Sequence, residues 1–259
     1  MKKLFLLLAI VLFSSTTIAQ GKTYLLFEFM EVDNTQEQSY WEIESFWEKI
    51  HEQRVKNGDI VGWDLWTIKP GGEDQGYQYL TVNVYNDPVK MFSGEGNFGA
   101  AVKAAYPDMS DEDLDKMMKK TGKSRDLAIR NYIEIIGTTS DDFDMAVGTV
   151  AELGFMKVKT SNSDYVNAEL EIFKPFHQQV VDAGSKGSWQ LMSVMLQKGS
   201  DRYADYMVVN MYNSYEQYLN FDWGSIDTPD EESQKKINEG IATRDMKNVI
   251  LIELVKKVR

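Results

Sequence analysis

The sequence contains no cysteine and only two histidines in 259 residues. Without cysteine the chain can form neither a disulfide nor a lipid-modified cysteine, so its stability must come from a buried hydrophobic core. The two histidines, His51 and His177, lie far apart in the sequence and have no cysteine or second histidine beside them. Zinc sites usually draw on several such ligands, so we expect no metal site.

Basic residues are also scarce. Lysine and arginine total 28 against 40 aspartates and glutamates, which gives a net charge of −12. This charge repels phosphate backbones and anionic lipid headgroups, so we expect neither a nucleic-acid partner nor a membrane-surface partner. The acidic surface can equally serve solubility alone. The clusters Asp111–Asp115 and Asp141–Asp144 lack the spaced ligands and glycine of a calcium loop and are interpreted as solvated.

Long apolar runs are missing except at the beginning of the chain. Lys2 and Lys3 precede an apolar run at 4–13, and small residues follow up to Gln20. This pattern predicts a signal peptide over residues 1–20 and export to the periplasm or the medium. No later stretch reaches the roughly 20 apolar residues of a membrane helix, so no membrane span is expected.

Several catalytic signatures are absent as well. The sequence has no Gly-x-Ser-x-Gly elbow, no phosphate-binding glycine loop, no His-Glu-x-x-His and no Cys-x-x-Cys. It therefore gives no support to the hydrolases, nucleotide-binding proteins, zinc peptidases and thiol oxidoreductases that carry these motifs.

The sequence does contain a long internal repeat. Trp63–Asn86 recurs as Ser188–Asn213, and His51 recurs as His177 at a distance of 126 positions. A period of this length predicts one small domain copied once. The expected organisation is a signal peptide at 1–20, a first unit at 21–137, a linker at 138–150 and a second unit at 151–259.

The hydrophobic pattern predicts the order β-α-β-β-α-β in each unit, the split βαβ arrangement of a ferredoxin-like fold. The expected elements of the first unit are strands 24–32, 63–69, 77–85 and 127–136 with helices 39–56 and 110–120, and those of the second are strands 151–158, 188–197, 203–212 and 246–255 with helices 165–181 and 230–239. The predicted fold class is therefore α+β. Ser110 is expected to cap its helix and Gly58 to end the preceding one. In helix 39–56, Arg54 is expected on the apolar side and Glu44 towards solvent. Tyr77 is expected on the same strand face as Tyr79, and the glycine-bearing segment Ser93–Gly99 is expected to be irregular. A local salt bridge or turn, and not an anion site, is expected at Arg125-Asp126 and at Arg244-Asp245, which precede the fourth strands.

Two such units must bury the apolar faces of their sheets, and we expect them to pack sheet to sheet. In element order and duplication the chain resembles the dimeric α/β-barrel superfamily, in which two ferredoxin-like units close a barrel. That superfamily includes antibiotic-biosynthesis-type monooxygenases, stress-response barrel proteins, NIPSNAP-like proteins and haem-handling relatives. The resemblance implies a monomer with an internal pseudo-dimer and a pocket for a small-molecule ligand.

Candidate site residues lie on the repeated strands. An asparagine flanked by tyrosines recurs on one strand face, and a buried amide without partners costs about 1–3 kcal/mol. The face is either the polar and aromatic wall of a ligand pocket or a structural amide with tyrosines at the sheet edge. The candidate ligand-binding residues are Trp47, Trp63, Tyr79, Asn83, Tyr85, Trp189, Tyr206, Asn210 and Tyr212. The first unit has more tryptophan, so it is favoured if only one unit binds.

His51 and His177 lie at the edge of an apolar helix stripe, and both are candidate catalytic residues. Each could be a general base, an axial haem ligand or a core histidine bonded to a carbonyl. No cofactor is predicted, and haem remains an alternative. In haem-degrading members of the superfamily the asparagine lies on the first strand and the histidine on a late helix. Here the first strands carry Glu28 or Gly154 and the histidines lie on the first helices.

Three functions are compatible with these observations. The first is an exported protein that binds a small apolar or aromatic molecule between sheet and helices. The second is a cofactor-independent monooxygenase or isomerase, with His51 or His177 as base and Asn83 or Asn210 holding an oxyanion. The third is a structural or interaction protein without a ligand, since a fold alone does not select a function.

Overall fold

The computed structural model describes residues 21–94, 96–139, 143–222 and 229–259. The expected signal peptide lies outside the described residues, as do residues 140–142 of the expected linker. Among the helices in the described ranges, none has the length and apolar character needed to cross a membrane.

The described chain alternates strands with helices. The strands are β1 Tyr24–Glu31, β2 Gly62–Lys69, β3 Tyr79–Tyr85, β4 Asp126–Thr138, β5 Val150–Val158, β6 Ser188–Leu196, β7 Tyr206–Tyr212 and β8 Arg244–Val258. The helices are α1 Glu37–Lys56, α2 Pro88–Ser93, α3 Phe98–Ala105, α4 Asp111–Ser124, α5 Asn162–Asn167, α6 Lys174–Asp182, α7 Tyr215–Leu219 and α8 Glu231–Ala242. A π-helical turn, Ala168–Phe173, joins α5 to α6.

The strands form one closed antiparallel barrel in the order β1-β3-β2-β8-β5-β7-β6-β4. The closing pairs are β2 with β8, where Trp63 faces Val258, and β4 with β6, where Ile133 faces Val194. The fold is therefore an α+β barrel. The two halves also join edge to edge, and hydrogen bonding at both seams satisfies strand edges that two stacked open sheets would leave unpaired.

Successive side chains along each strand point to opposite faces of the sheet, so the strands contribute to two hydrophobic regions. Phe27 and Val82 point into the barrel, where they belong to its central core. Tyr79 and Tyr85 point outward, where α1 covers them. Tyr77 was expected on the same face as Tyr79, but it precedes β3 and packs against the barrel core, with its ring 5.0 Å from that of Phe29.

Local capping signals explain where several helices begin. The Ser110 side chain accepts a hydrogen bond from the Asp113 amide at 3.1 Å, which confirms the predicted cap of α4. Gly58, with φ of 73°, follows the end of α1 as predicted. The segment around Ser93–Gly99 was expected to be irregular, but it contains parts of α2 and α3, which Asp87 and Asn97 cap.

The π-helical turn explains a change of spacing between the two halves of the chain. Tyr165 follows Tyr40 by 125 positions, whereas His177 follows His51 by 126. A π turn accommodates one extra residue in a helix, and Ala168–Phe173 lies between Tyr165 and His177. The turn therefore lets Tyr165 and His177 take the same positions on the barrel as Tyr40 and His51 of α1, despite the extra residue between them.

Candidate functional site

A cleft of about 520 Å³ lies between the barrel and the helices of the C-terminal half, defined here as β5–β8 with their helices. Its volume falls within the roughly 300–1,000 Å³ of small-molecule pockets. The residues that line it are Glu152, Gly154, Met156, Glu169, Phe173, Phe176, His177, Val208, Asn210, Pro229, Ile237, Ile241, Arg244, Met246 and Val249. We call this space the sheet–helix cleft.

Polar residues converge at one part of the cleft. The Lys186 ammonium donates to Asn210 Oδ1 at 2.7 Å and lies 2.9 Å from His177 Nδ1. Asn210 Nδ2 and the Tyr212 hydroxyl each lie 3.4 Å from Glu152 Oε2. We call these five residues the polar cluster. It joins a cation, an imidazole and a carboxylate through the amide of one strand residue.

Burial determines the protonation of this cluster. It lowers the pKa of Lys186 to about 8, partly offset by Glu152. Burial, with a smaller contribution from Lys186, lowers the pKa of His177 to about 2. At neutral pH the lysine is therefore mainly charged and the imidazole is neutral. Because an ammonium only donates, Nδ1 of His177 accepts, and its proton lies on Nε2.

The tryptophan beneath the histidine fixes the orientation of the imidazole. The ring of His177 stacks on that of Trp189, with centroids 5.2 Å apart and planes inclined by 16°. Trp189 is fully buried. Trp189, a candidate ligand-binding residue, is therefore positioned to support His177, and it is not among the residues that line the cleft.

A buried ion pair forms another wall of the cleft. Arg244 pairs with Glu169, which is 1% exposed, and its guanidinium lies 4.3 Å from the centroid of the Phe173 ring. A local salt bridge or turn was expected at Arg244, but its partner Glu169 lies 75 positions away in the sequence. Arg125 pairs in the same way with Glu44.

The position of Glu44 corrects the sequence interpretation. It was expected to face solvent with the other glutamates of α1, but it is fully buried. A buried carboxylate normally requires a counter-ion, and Arg125 supplies one. Helical periodicity alone could not reveal this, because the partner lies between α4 and β4, 81 positions later in the sequence.

The N-terminal half, β1–β4 with their helices, repeats part of the polar arrangement. Arg54 contacts His51 Nδ1 at 3.1 Å and Asn83 Oδ1 at 3.2 Å. The His51 ring stacks on Trp63 with centroids 4.8 Å apart. Burial, together with Arg54, lowers the pKa of His51 well below its ordinary value.

Aromatic side chains pack closely over that second arrangement. The ring of Trp47 lies 5.8 Å from that of His51 and 5.6 Å from that of Phe98 on α3. Phe46 stacks with Tyr106 at 4.7 Å. The aromatic content that favoured the first unit thus contributes to a packed core, whereas the sheet–helix cleft lies in the C-terminal half.

Most of the other candidate residues are buried in the outer core. The Tyr79 hydroxyl donates to Glu37 at 2.7 Å, and Tyr206 packs against Tyr165 with centroids 4.8 Å apart. Tyr85 is 4% exposed and belongs to the core beneath α1. Of the candidate residues, His177 and Asn210 line the cleft, and Tyr212 reaches it through Glu152.

Sequence reasoning missed three residues of these clusters. Lys186 lies in the loop before β6, where no periodic pattern applies, and Arg54 was assigned only to an apolar helix face. Glu152 gives a detectable signal, since it interrupts an otherwise apolar stretch at the beginning of β5. An isolated charge in such a strand predicts a polar partner on the same face.

The tautomer of each histidine bears on haem binding. A histidine that binds iron through one nitrogen normally donates the other N–H to an acceptor. In both halves Nδ1 instead faces a cation, Lys186 or Arg54, so the proton lies on Nε2 and no lone pair is available there. Neither histidine in this state fits an axial haem ligand, and we assign no step to haem.

No protein-family model matches the sequence, and no curated protein matches it. Solved structures do match. The "putative monooxygenase" of Fusobacterium nucleatum has 14% identity and a TM-score of 0.56, over 92% of this chain and 94% of that one. The "putative monooxygenase" of Lactobacillus acidophilus has 11% identity and a TM-score of 0.53, over 92% and 96%. A haem-binding protein of Thermus thermophilus has 9% identity and a TM-score of 0.51, over 91% and 92%. These likenesses show a shared fold, a closed α+β barrel.

Proposed function

We propose that this protein binds a small, largely apolar or aromatic molecule that carries an acceptor oxygen, and that it binds it in the sheet–helix cleft. The observation that carries the proposal is the polar cluster beside the apolar walls of the cleft. Phe173, Phe176 and Val208 supply apolar walls, and His177 and Asn210 supply polar groups. Pockets of this composition bury the ligand body in the apolar part and orient it through a few polar contacts.

The protonation of the cluster specifies what the ligand must offer. His177 is neutral and carries its proton on Nε2, so Nε2–H is the donor. The positive charge of Lys186 lies against Nδ1 and polarises the ring, which makes Nε2–H a stronger donor. A carbonyl or phenolate oxygen of the ligand can accept a hydrogen bond from this donor, whereas a cationic group of the ligand cannot. Flat ligands also suit the aromatic Phe173 and Phe176, because stacked rings add about 0.5–1.5 kcal/mol beyond the buried area.

The proposal includes the organisation of the chain. We assign residues 21–137 and 151–259 to two ferredoxin-like units joined at 138–150, and residues 1–20 to an export signal. The strand order supports the two units, since β4-β1-β3-β2 in one half corresponds to β8-β5-β7-β6 in the other. The buried pairs Arg125–Glu44 and Arg244–Glu169 also correspond.

Binding is tested by narrowing the cleft at its rim. Val249 lines the cleft and is 44% exposed, so V249W adds bulk there with little cost to the core. Val89 on α2 is 61% exposed and gives a matched control, V89W. We expect an aromatic ketone or phenol from a screened panel to raise the melting temperature of the wild type and of V89W. V249W should bind it at least about 10-fold more weakly. Equal binding by V249W, or no binder in the panel, would contradict the proposal.

A second candidate function is proton abstraction from a carbon acid in the same cleft. The observation that favours it is Lys186, whose pKa of about 8 lies near neutral pH, as in proton-transfer enzymes. The expected base, His177, has a pKa of about 2 and is too weak a base on its own in its neutral tautomer. Two relatives in fold are named as monooxygenases.

The step requires an uncharged lysine. Neutral Lys186 can accept a hydrogen bond from Nδ1–H of His177, and in this tautomer Nε2 carries a lone pair. The C–H proton of the substrate then moves to Nε2 as the Nδ1 proton moves to Lys186, which yields an enolate, a neutral imidazole and an ammonium. Asn210 and the new ammonium remain hydrogen-bonded, so the cluster retains the proton close to the enolate.

Deuterium exchange of an aromatic 1,3-diketone, followed by NMR, tests this step. The catalysed rate should rise with pH through about 8, because the neutral lysine is the active form. K186R supplies a guanidinium, the group that contacts the histidine and asparagine of the N-terminal half, and keeps a permanent charge, so it should abolish the catalysed exchange while preserving the fold. A K186R protein that exchanges as fast as the wild type would exclude this role and leave the binding role intact.

A further inference from the structure

A second cavity, of about 470 Å³, lies inside the barrel itself. Its walls include inward-facing residues from both halves, among them Phe27, Trp66, Leu153, Val209 and Met211. The sheet separates it from the sheet–helix cleft, since Asn210 and Val208 face the cleft while Val209 and Met211 face the interior. We call this space the barrel cavity.

The sizes of the inward-facing side chains explain its position. At the other end of the barrel Phe29 and Phe155 approach to 6.4 Å between ring centroids and help to fill the interior. At the cavity end Ala151 and Ser188 face inward and leave space. Ala151 follows Leu25 by 126 positions, so the repeated sequence has a leucine where the second copy has an alanine.

Protein interiors rarely contain voids larger than one water molecule. An apolar cavity of only about 150 Å³ is already sufficient to bind benzene or xenon. The barrel cavity is several times larger and mainly apolar in its depth, where Leu80, Val82 and Leu153 line it. Its size and lining are those of a ligand site.

Charged residues lie at the mouth of the barrel cavity, and each has a partner. Arg259 lies 2.8 Å from Asp64, and Lys257 lies 3.1 Å from Asp144 and donates to the Met145 carbonyl at 2.5 Å. Two cations therefore balance two carboxylates. Such a mouth offers no net charge to an ionic headgroup, which would have to break one of these pairs to enter.

We propose that the barrel cavity is a second binding site, independent of the sheet–helix cleft, for an uncharged lipophilic molecule such as a long-chain alcohol or a terpenoid. The apolar part of the ligand lies against Phe27, Trp66 and Leu153. Its hydroxyl or carbonyl lies near the mouth, where Gln190 and Ser188 offer uncharged polar groups.

The test uses N-phenyl-1-naphthylamine, an uncharged probe that becomes fluorescent in apolar surroundings, added to the full-length protein. Trp66 lines the barrel cavity, so excitation of tryptophan should transfer energy to the bound probe. W66F should weaken this transfer when wild type and variant are compared at saturating probe. A151L narrows the barrel cavity and should lower the affinity at least about 10-fold, whereas V249W, which narrows the cleft, should leave it unchanged.

Competition decides the chemistry of the ligand. Dodecanol should displace the probe at least about 10-fold more effectively than dodecanoate. The inference is overturned if the probe does not bind, if V249W and not A151L abolishes binding, or if dodecanoate competes as well as dodecanol. If A151L proves too unstable to assay, the energy transfer in W66F decides the location. Unchanged transfer in W66F would then place the probe elsewhere.

Discussion

The buried histidines predict a specific loss of stability in acid. His177 has an ordinary pKa of 6.5 in the unfolded chain and a pKa of about 2 in the fold. Between these values the unfolded chain binds a proton that the folded chain does not, so stability is present above pH 6.5 and is lost as the pH falls below it. The slope approaches about 1.4 kcal/mol per pH unit for one such group.

The loss of unfolding free energy between pH 7 and pH 5 can be calculated from this slope. Integration of this slope gives a loss of about 2 kcal/mol for His177, and the result does not change as long as its folded pKa stays below about 4. The pKa of His51 is also lowered well below its ordinary value, so His51 adds a loss in the same direction. The loss for His177 alone is a substantial part of a typical stability of 5–15 kcal/mol.

Urea unfolding at pH 7 and pH 5 measures this loss. The variant H177Q retains an acceptor for Lys186 but does not titrate, so its loss should be about 2 kcal/mol smaller than that of the wild type. Other groups that titrate in this range contribute equally to both proteins and cancel in the difference. Equal losses in H177Q and the wild type would show that His177 is charged in the folded protein, and the tautomer assigned to it would be wrong.

Three further predictions concern the C-terminal half. R244M leaves the buried Glu169 without its counter-ion and should cost about 3–5 kcal/mol in urea unfolding, whereas the double variant with E169L should recover most of that loss. From pH 7 to pH 10 the wild type should gain about 2.5 kcal/mol of stability relative to K186R, because only the unfolded chain keeps Lys186 protonated between its folded pKa of about 8 and its ordinary pKa of 10.5. Stability curves of the two proteins that stay parallel with pH would refute the lowered pKa. A Cβ at Gly187 would clash with the ring of Phe143, which lines the barrel cavity, so G187A should displace that ring and speed probe entry in stopped-flow fluorescence. An unchanged rate would show that Phe143 does not limit access.

Much of the fold could be predicted from the sequence because its signals are local. Strand alternation such as Leu25, Phe27 and Phe29 determines which face is buried, and the caps at Ser110 and Gly58 fix helix ends. The short helices α2 and α3 were missed because glycines near them indicated a loop. Their beginnings depend on Asp87 and Asn97, whose side chains accept from nearby amides.

The candidate site was harder to predict because its chemistry depends on long-range contacts. His177 and Asn210 were identified from their recurrence, yet the group that sets their protonation is Lys186, in a loop without any periodic signal. The sequence also could not distinguish an aromatic residue that lines a pocket from one that fills it. Trp47 packs between His51 and Phe98, and this contact depends on α3.

The closing seams of the barrel have a consequence for how the chain folds. Strand β8 pairs with β2, and Arg259 bonds to Asp64 across 195 positions of sequence. Contacts so distant are entropically costly to form, and proteins dominated by them fold slowly. Until β8 has been synthesised, one edge of β2 has no neighbouring strand. A nascent chain therefore exposes an unpaired strand edge for most of its elongation. A chaperone that holds this edge would be most useful before the last strand is complete.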